Sequence, residues 1–191
     1  MRFDARIPDD ERRQLASLIG RELFTVSADG WAVQFDMEAL SIQVIPEEIA
    51  TPDDDHKCAD VTRPSLTETT DATTGIVASN LGVITAVSVL STVVVFSPPE
   101  LGEPIEINGV TIPEGISYGP EFFHPSRPPS VSSGQAIVDL DIAFELRTDS
   151  NNRITVFTDG CGYFVYVTVN EYPISTDIYL ECQIPAADIG D

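Results

Sequence analysis

The chain has 191 residues, of which 31 are acidic and 10 basic, giving a formal net charge of -21 and a sequence pI of about 4.1. Hydrophobic residues at 42% are too many for a disordered tail and enough for a core, and three cysteines are too few for a disulfide scaffold. The scarcity of Lys and Arg argues against a DNA or RNA partner, whose phosphates need cations to displace their counterions.

No apolar run of signal-peptide type follows Met1–Asp10. The longest apolar stretch, Val83 to Phe96, is shorter than the roughly 20 residues of a spanning helix. Neither secretion nor a membrane is therefore expected. The odd set Cys58, Cys161 and Cys182 argues against an oxidised framework, so a cytoplasmic protein with reduced thiols is expected.

Pro8 followed by Asp9, Asp10 and Glu11 places negative charge where the positive end of a helix dipole falls. Leu15, Leu18 and Ile19 then make one apolar stripe, which Leu23 would extend, and Gly20 predicts an end near Ile19. Beyond it the period becomes two. Phe24 and Val26 lead to Asp29-Gly30, a hairpin dipeptide, and Trp31, Val33, Phe35 and Met37 return. Leu40, Ile42 and Val44 form a third run, stopped by Pro46. Residues 46–80 carry many acidic residues, prolines and threonines without a sustained period and read as a long connection.

Val83 to Phe96 is too β-branched for a helix and reads as two strands turning near Leu90-Ser91-Thr92. Val26-Ser27 with Val33-x-Phe35 is echoed by Val87-Ser88 with Val94-x-Phe96, as two hairpins of one design would be. Short strands near Ile105–Ile107 and Val110–Ile112 flank Asn108-Gly109. Ala136, Val138, Leu140, Ile142, Phe144 and Leu146 share one face of a long strand, with Asp139, Asp141, Glu145 and Arg147 on the other. A turn at Asp149–Asn152, a return through Ile154, Val156 and Thr158, a second turn at Asp159-Gly160 and a run from Tyr163 to Val169 follow. Ile178, Leu180, Cys182 and Ile184 give a last strand.

These elements predict a mainly β protein, its antiparallel sheets in a sandwich or curved-sheet arrangement with one N-terminal helix. Residues 1–191 are expected to form a single compact unit of two hairpin-rich halves, 1–64 and 81–191, joined by a linker over 65–80.

Four constellations could carry chemistry. Cys161 between two glycines could expose a thiol to His124, but a thiolate needs positive charge to lower its pKa, and a field of -21 acts the other way. A residue in a flexible turn is the simpler reading. Asp53, Asp55, His56 and Cys58 carry metal-binding atoms without EF-hand or CxxC spacing, so a solvated acidic loop is expected there. Asp139, Asp141 and Glu145 make a row of carboxylates that would complement a basic surface better than it would do acid–base work. Phe122 and Phe123, before His124-Pro125 and a proline-rich stretch, form either a contact loop or one that packs on its own core. The sequence contains no P-loop, GxGxxG, HExxH or CxxC motif, and no cofactor is expected.

The preferred expectation is a non-catalytic binding protein whose acidic surface meets a basic protein partner. A structural module that self-assembles, as a homodimer for instance, is the alternative. In that case the acidity, with Lys57 as the only lysine, would reflect solubility, salt adaptation or a GC-rich genome. An enzyme built on Cys161 with His124, or on the acidic metal-type loop, ranks below both.

Overall fold

A computed structural model describes residues 2–49, 61–70, 75–96, 100–101, 105–107, 110–112, 115–116, 121–127, 129–130, 135–160 and 164–186. In chain order the elements are β1 (Arg2–Ala5), α1 (Asp9–Ala16), β2 (Glu22–Ala28), β3 (Val33–Met37), β4 (Leu40–Ile49), β5 (Val61–Glu68) and β6 (Ile76–Phe96). Four short strands follow: β7 (Glu100–Leu101), β8 (Ile105–Ile107), β9 (Val110–Ile112) and β10 (Gly115–Ile116). The rest are β11 (Glu121–Phe123), β12 (Ala136–Thr148), β13 (Arg153–Thr158), β14 (Val165–Val169) and β15 (Leu180–Ile184).

The helix begins where Pro8 fixes an extended entry (φ -61°, ψ 159°), with three carboxylates in its first turn. It is shorter than its apolar stripe. After Ala16 the chain tightens into i→i+3 bonds (Leu18 N to Leu15 O, 3.1 Å; Ile19 N to Ala16 O, 3.2 Å), and Gly20 leaves it at φ +90°. Leu15 and Leu18 are fully buried.

The sheet order is β14-β13-β12-β6-β2-β3-β4-β5, with β1 on β12 and with β11 and β15 on β6. All pairs are antiparallel except β1–β12. The short strands make two separate ribbons, β7–β10 and β8–β9, the second with the register expected around residues 108–109. The chain is thus mainly antiparallel β with a single short N-terminal helix. The sheet curves until its two ends meet. The Thr158 hydroxyl donates to Thr62 O (2.8 Å), joining β13 to β5, and Val165 N donates to Gly30 O (3.3 Å), joining β14 to the β2–β3 turn.

The main core lies inside this curve. Leu23, Val26, Val33, Phe35, Ile42 and Val44 come from β2–β4 and face Val87, Val89, Phe144, Leu146, Ile154 and Val156 from β6, β12 and β13. Phe35 and Phe144 meet at its centre, ring centroids 6.1 Å apart. A second core lies on the outer face of β6 and β12, around Leu90, Val94, Val138, Leu140 and Ala143. To reach β15 from β14 the chain must cross that face, and Ile174, Ile178 and Tyr179 of the crossing segment pack on this second core.

Several expectations are corrected. Val83 to Phe96 contains no turn. It is the longer part of β6, whose Val87 lies opposite Leu146 on one edge and Ile184 on the other. The second hairpin of the apparent repeat therefore does not exist. Ser91 and Thr92 are polar because they have polar partners: their hydroxyls donate to Asp141 Oδ1 (2.6 Å) and Phe123 O (3.2 Å).

Nor does Pro46 stop its strand. It lies opposite Pro64, and β5 occupies part of the stretch read as a connection. Two prolines can face each other only at a non-hydrogen-bonded site, where both ring nitrogens point out of the ladder. β3 already ends opposite Val44, and β5 is the last strand, so no amide partner is wanted on either side.

Irregular pairing also moves residues between faces. A register shift between Leu23 and Thr25 buries Leu23 with Val26 and leaves Phe24 38% exposed, although Phe24 and Val26 alternate in sequence. Trp31 stands outside β3, 61% exposed, in a turn whose Asp29 carboxylate accepts from the amides of Trp31 and Ala32 (both 2.9 Å).

Candidate binding groove on the outer sheet face

Asp141 and Glu145 do not lie on one wet face. Leu140 is opposite Thr92, Asp141 opposite Ser91, Ala143 opposite Leu90 and Phe144 opposite Val89, so Ile142 is an extra residue. Directly opposed residues share a face. Before this bulge the outer face holds Val138 and Leu140; after it, Ala143 and Glu145 take their place, while Asp141, Phe144 and Leu146 point inward.

Asp141 is wholly buried and accepts from the Ile7 amide (2.8 Å), the Arg12 guanidinium (2.6 Å) and Ser91, which clamps the start of α1 to the sheet. Asp139 is held by Arg2 in a fork of two bonds, each 2.7 Å, and these keep the Arg2 proton more firmly bound than usual. Neither carboxylate is presented as an open anion.

Glu145 anchors the most elaborate polar cluster. It is buried, and Arg147 Nε donates to its Oε1 (2.7 Å) while Arg153 Nε donates to its Oε2. The bond to Glu145 is the chief reason the Arg147 guanidinium holds its proton above the ordinary arginine value. Arg147 also reaches Glu181 (3.2 Å), which accepts from Ser88 (2.9 Å). The hairpin register sets this up: Arg147 lies opposite Arg153, Glu145 opposite Thr155, and Thr155 opposite Thr168 of β14.

Above them lies an open groove of about 590 Å³, walled by Arg147, Arg153, Asn151, Asn152, Asn170 and Tyr172. The Tyr172 ring lies 3.8 Å from the Arg153 guanidinium carbon and is itself 74% exposed. Arg153 Nη1, Thr155 Oγ1 and Thr168 Oγ1 are buried without a hydrogen-bond partner, and the strand pairing makes the three residues neighbours on this face. Buried polar atoms are rarely left in this state.

The remaining expected site residues fall elsewhere. Phe122 is half-buried and packs on the second core, its ring 3.0 Å from where a Cβ on Gly160 (φ +81°) would stand; Phe123 is half-buried beside it. His124 Nδ1 accepts from the Ser126 amide (3.2 Å) and lies 2.7 Å from Ser126 Oγ, closing a local turn. Cys161, Asp53, Asp55, His56 and Cys58 lie outside the described residues. Among the described residues no group of three or more His, Cys, Asp or Glu could hold a metal ion, and no helix is long and apolar enough to cross a membrane.

The sequence reading placed Arg147 beside Glu145 but missed Arg153, Tyr172 and Glu181. Counting the hairpin register outward from the turn at 149–152 would have put Arg153 opposite Arg147; nothing comparable points to Tyr172, which arrives on a crossing loop. No protein family, curated protein or solved structure matches the chain.

Proposed function

We propose that this chain is a non-catalytic binding protein that meets a basic protein surface. The observation that carries the reading is where its few cations go. Arg2, Arg6, Arg12, Arg63, Arg147 and Arg153 are engaged by Asp139, Asp4, Asp141, Glu11, Glu47, Glu145 and Glu181. Among the described residues these pairs hold six of the 10 basic side chains, in a chain whose net charge is -21. Such an outward field accelerates encounter with a cationic partner and disfavours anionic ones. The free, exposed thiol of Cys182 fits a reducing, cytoplasmic setting.

Calorimetric titration with a small folded basic protein and with deca-arginine tests this. Saturable binding to the folded protein that weakens steeply with added salt is expected. Absence of binding at low salt, or binding indifferent to salt, overturns it.

One observation favours self-assembly as a second reading. Trp31, Phe164 and Tyr166 form a contiguous exposed strip, with ring centroids 5.0 and 6.4 Å apart. A dimer in sedimentation that dissociates on Trp31→Ala would support it.

A further inference from the structure

The groove over Arg153 goes beyond a reading based on net charge, because its own charges are matched. Arg147 and Arg153 stand against Glu145 and Glu181, two cations against two anions. A small anion gains no unpaired cation there and meets the repulsion of a chain carrying -21. A metal or ammonium ion finds both carboxylates already engaged by guanidinium groups. What remains is hydrogen-bonding capacity of both senses. The Thr85 and Thr148 hydroxyls at the wall already donate to Arg147 O (3.1 Å) and Leu81 O (2.6 Å), and Asn152 and Asn170 each spend one N–H inside the protein, on Leu81 O (3.0 Å) and Asn152 Oδ1 (3.1 Å); each of these two amides keeps a second N–H and a further oxygen lone pair, and the Asn151 amide adds to them. Arg153, at the wall, carries one unmet donor at Nη1, while the unmet Thr155 and Thr168 hydroxyls are enclosed in the adjoining sheet face outside the groove lining. One side of the Tyr172 ring rests on a guanidinium, and its high exposure leaves an apolar face toward solvent.

We propose that this groove is a binding site for a neutral saccharide, of one or two pyranose units. A pyranose offers what these walls require: hydroxyls that donate and accept at once, a patch of C–H groups to lie on an aromatic ring, and no charge. A space of about 590 Å³ is in the ordinary range for small-ligand clefts. The walls belong to paired strands and to turns pinned by their own bonds, including the Asn170 side-chain amide to Asn152 Oδ1 (3.1 Å) and Arg153 N to Asn170 Oδ1 (2.9 Å). The site is therefore preorganised, which limits the entropy lost on binding.

The test is a nitrogen-resolved NMR titration of the full chain with methyl glucoside, methyl galactoside, methyl mannoside, N-acetylglucosamine, maltose and cellobiose, each up to about 50 mM. At least one is expected to shift the side-chain amides of Asn152 and Asn170 and the Nε–H signals of Arg147 and Arg153. Tyr172→Ala, at an exposed position that leaves the fold intact, is expected to weaken that binding about tenfold. Trp31→Ala, on the separate aromatic strip, should leave it within about twofold. The proposal is overturned if none of the sugars moves these signals, if inorganic phosphate moves them at lower concentration than any sugar, or if Tyr172→Ala binds as the parent does. Because methyl glycosides carry no charge, failure here leaves the basic-partner reading standing, and failure of salt-dependent binding to a basic protein leaves the groove standing.

Discussion

Asp141 receives three donors and has no exposed surface, while Asp139, two residues earlier, forms its fork with an arginine that is largely in solvent. Their energetic weights must differ for that reason. Asp141→Ala leaves the Ile7 amide and the Arg12 guanidinium facing an apolar gap, and a buried partner removed in this way costs about 3 kcal/mol. Urea unfolding should show a loss of that order, and the Asp139→Ala midpoint should stay near the parent's, because exposed pairs contribute little. Asp36 offers a sharper test. Burial pushes its carboxyl up, but hydrogen bonds from Thr25 (2.6 Å), Ser41 (2.8 Å) and Gln34 (2.7 Å) together outweigh it and leave the pKa lowered. Asp4, bonded by Arg6, is lowered to about 2. Both lie below the unfolded carboxylate value of about 3.9, so the stability they contribute is complete above that pH and disappears as pH falls through the folded-state values. The stability gap between the parent and Asp36→Asn, measured by urea unfolding, should therefore be largest near neutral pH and shrink below pH about 4. A gap that stays constant or widens in acid would show that the carboxylate charge is not what those three donors recognise.

At the scale of elements, alternation was legible and its phase was not. Apolar and polar residues do alternate from Ala136 to Arg147, and a long strand is there, but one extra residue at Ile142 transfers Glu145 to the face opposite Asp141. A bulge changes no composition, so sequence period alone cannot date the switch. β5 was hidden for a related reason: Thr62, Arg63 and Pro64 are buried on both faces, and Arg63 is made tolerable by Glu11 (3.3 Å) and Glu47, partners 52 and 16 residues away. The groove was half legible, since Glu145 and Arg147 stand two apart on one strand, but Tyr172 and Glu181 join through the crossing connection between β14 and β15. The error over β6 came from treating Ser91 and Thr92 as turn residues when both are hydrogen-bonded inside the sheet. Hydrogen exchange separates the two descriptions. With β12 on one edge and β15 or β11 on the other, the amides from Val87 to Val95 should exchange only through global opening and be among the slowest in the chain. A turn at 90–92 would instead place fast-exchanging amides in the middle of that stretch.

For the molecule as a whole, two electrostatic effects oppose each other as salt rises. The arginine pairs favour the folded state, and salt weakens those near the surface. The excess of acidic residues, a net charge of -21, repels itself more in the compact state than in the extended one, and salt relieves that repulsion. The geometry decides which dominates. The carboxylates of Asp141 and Glu145 have no exposed surface, and Arg63 and Arg153 are mostly enclosed, so the strongest pairs lie where mobile ions screen poorly. Carboxylates such as those of Asp9, Asp10, Glu22 and Glu171 are exposed, where mobile ions screen over about 10 Å at 0.1 M. Stability should therefore rise between low salt and about 0.5 M sodium chloride, seen as a higher urea midpoint at unchanged slope. Chloride salts of monovalent cations should act alike, because screening and not site binding is responsible. A midpoint that falls with salt would mean that the exposed members of the pairs, Arg2, Arg6 and Arg147, hold the fold more strongly than their exposure allows, and the account of an anionic surface held around a neutralised interior would fail with it.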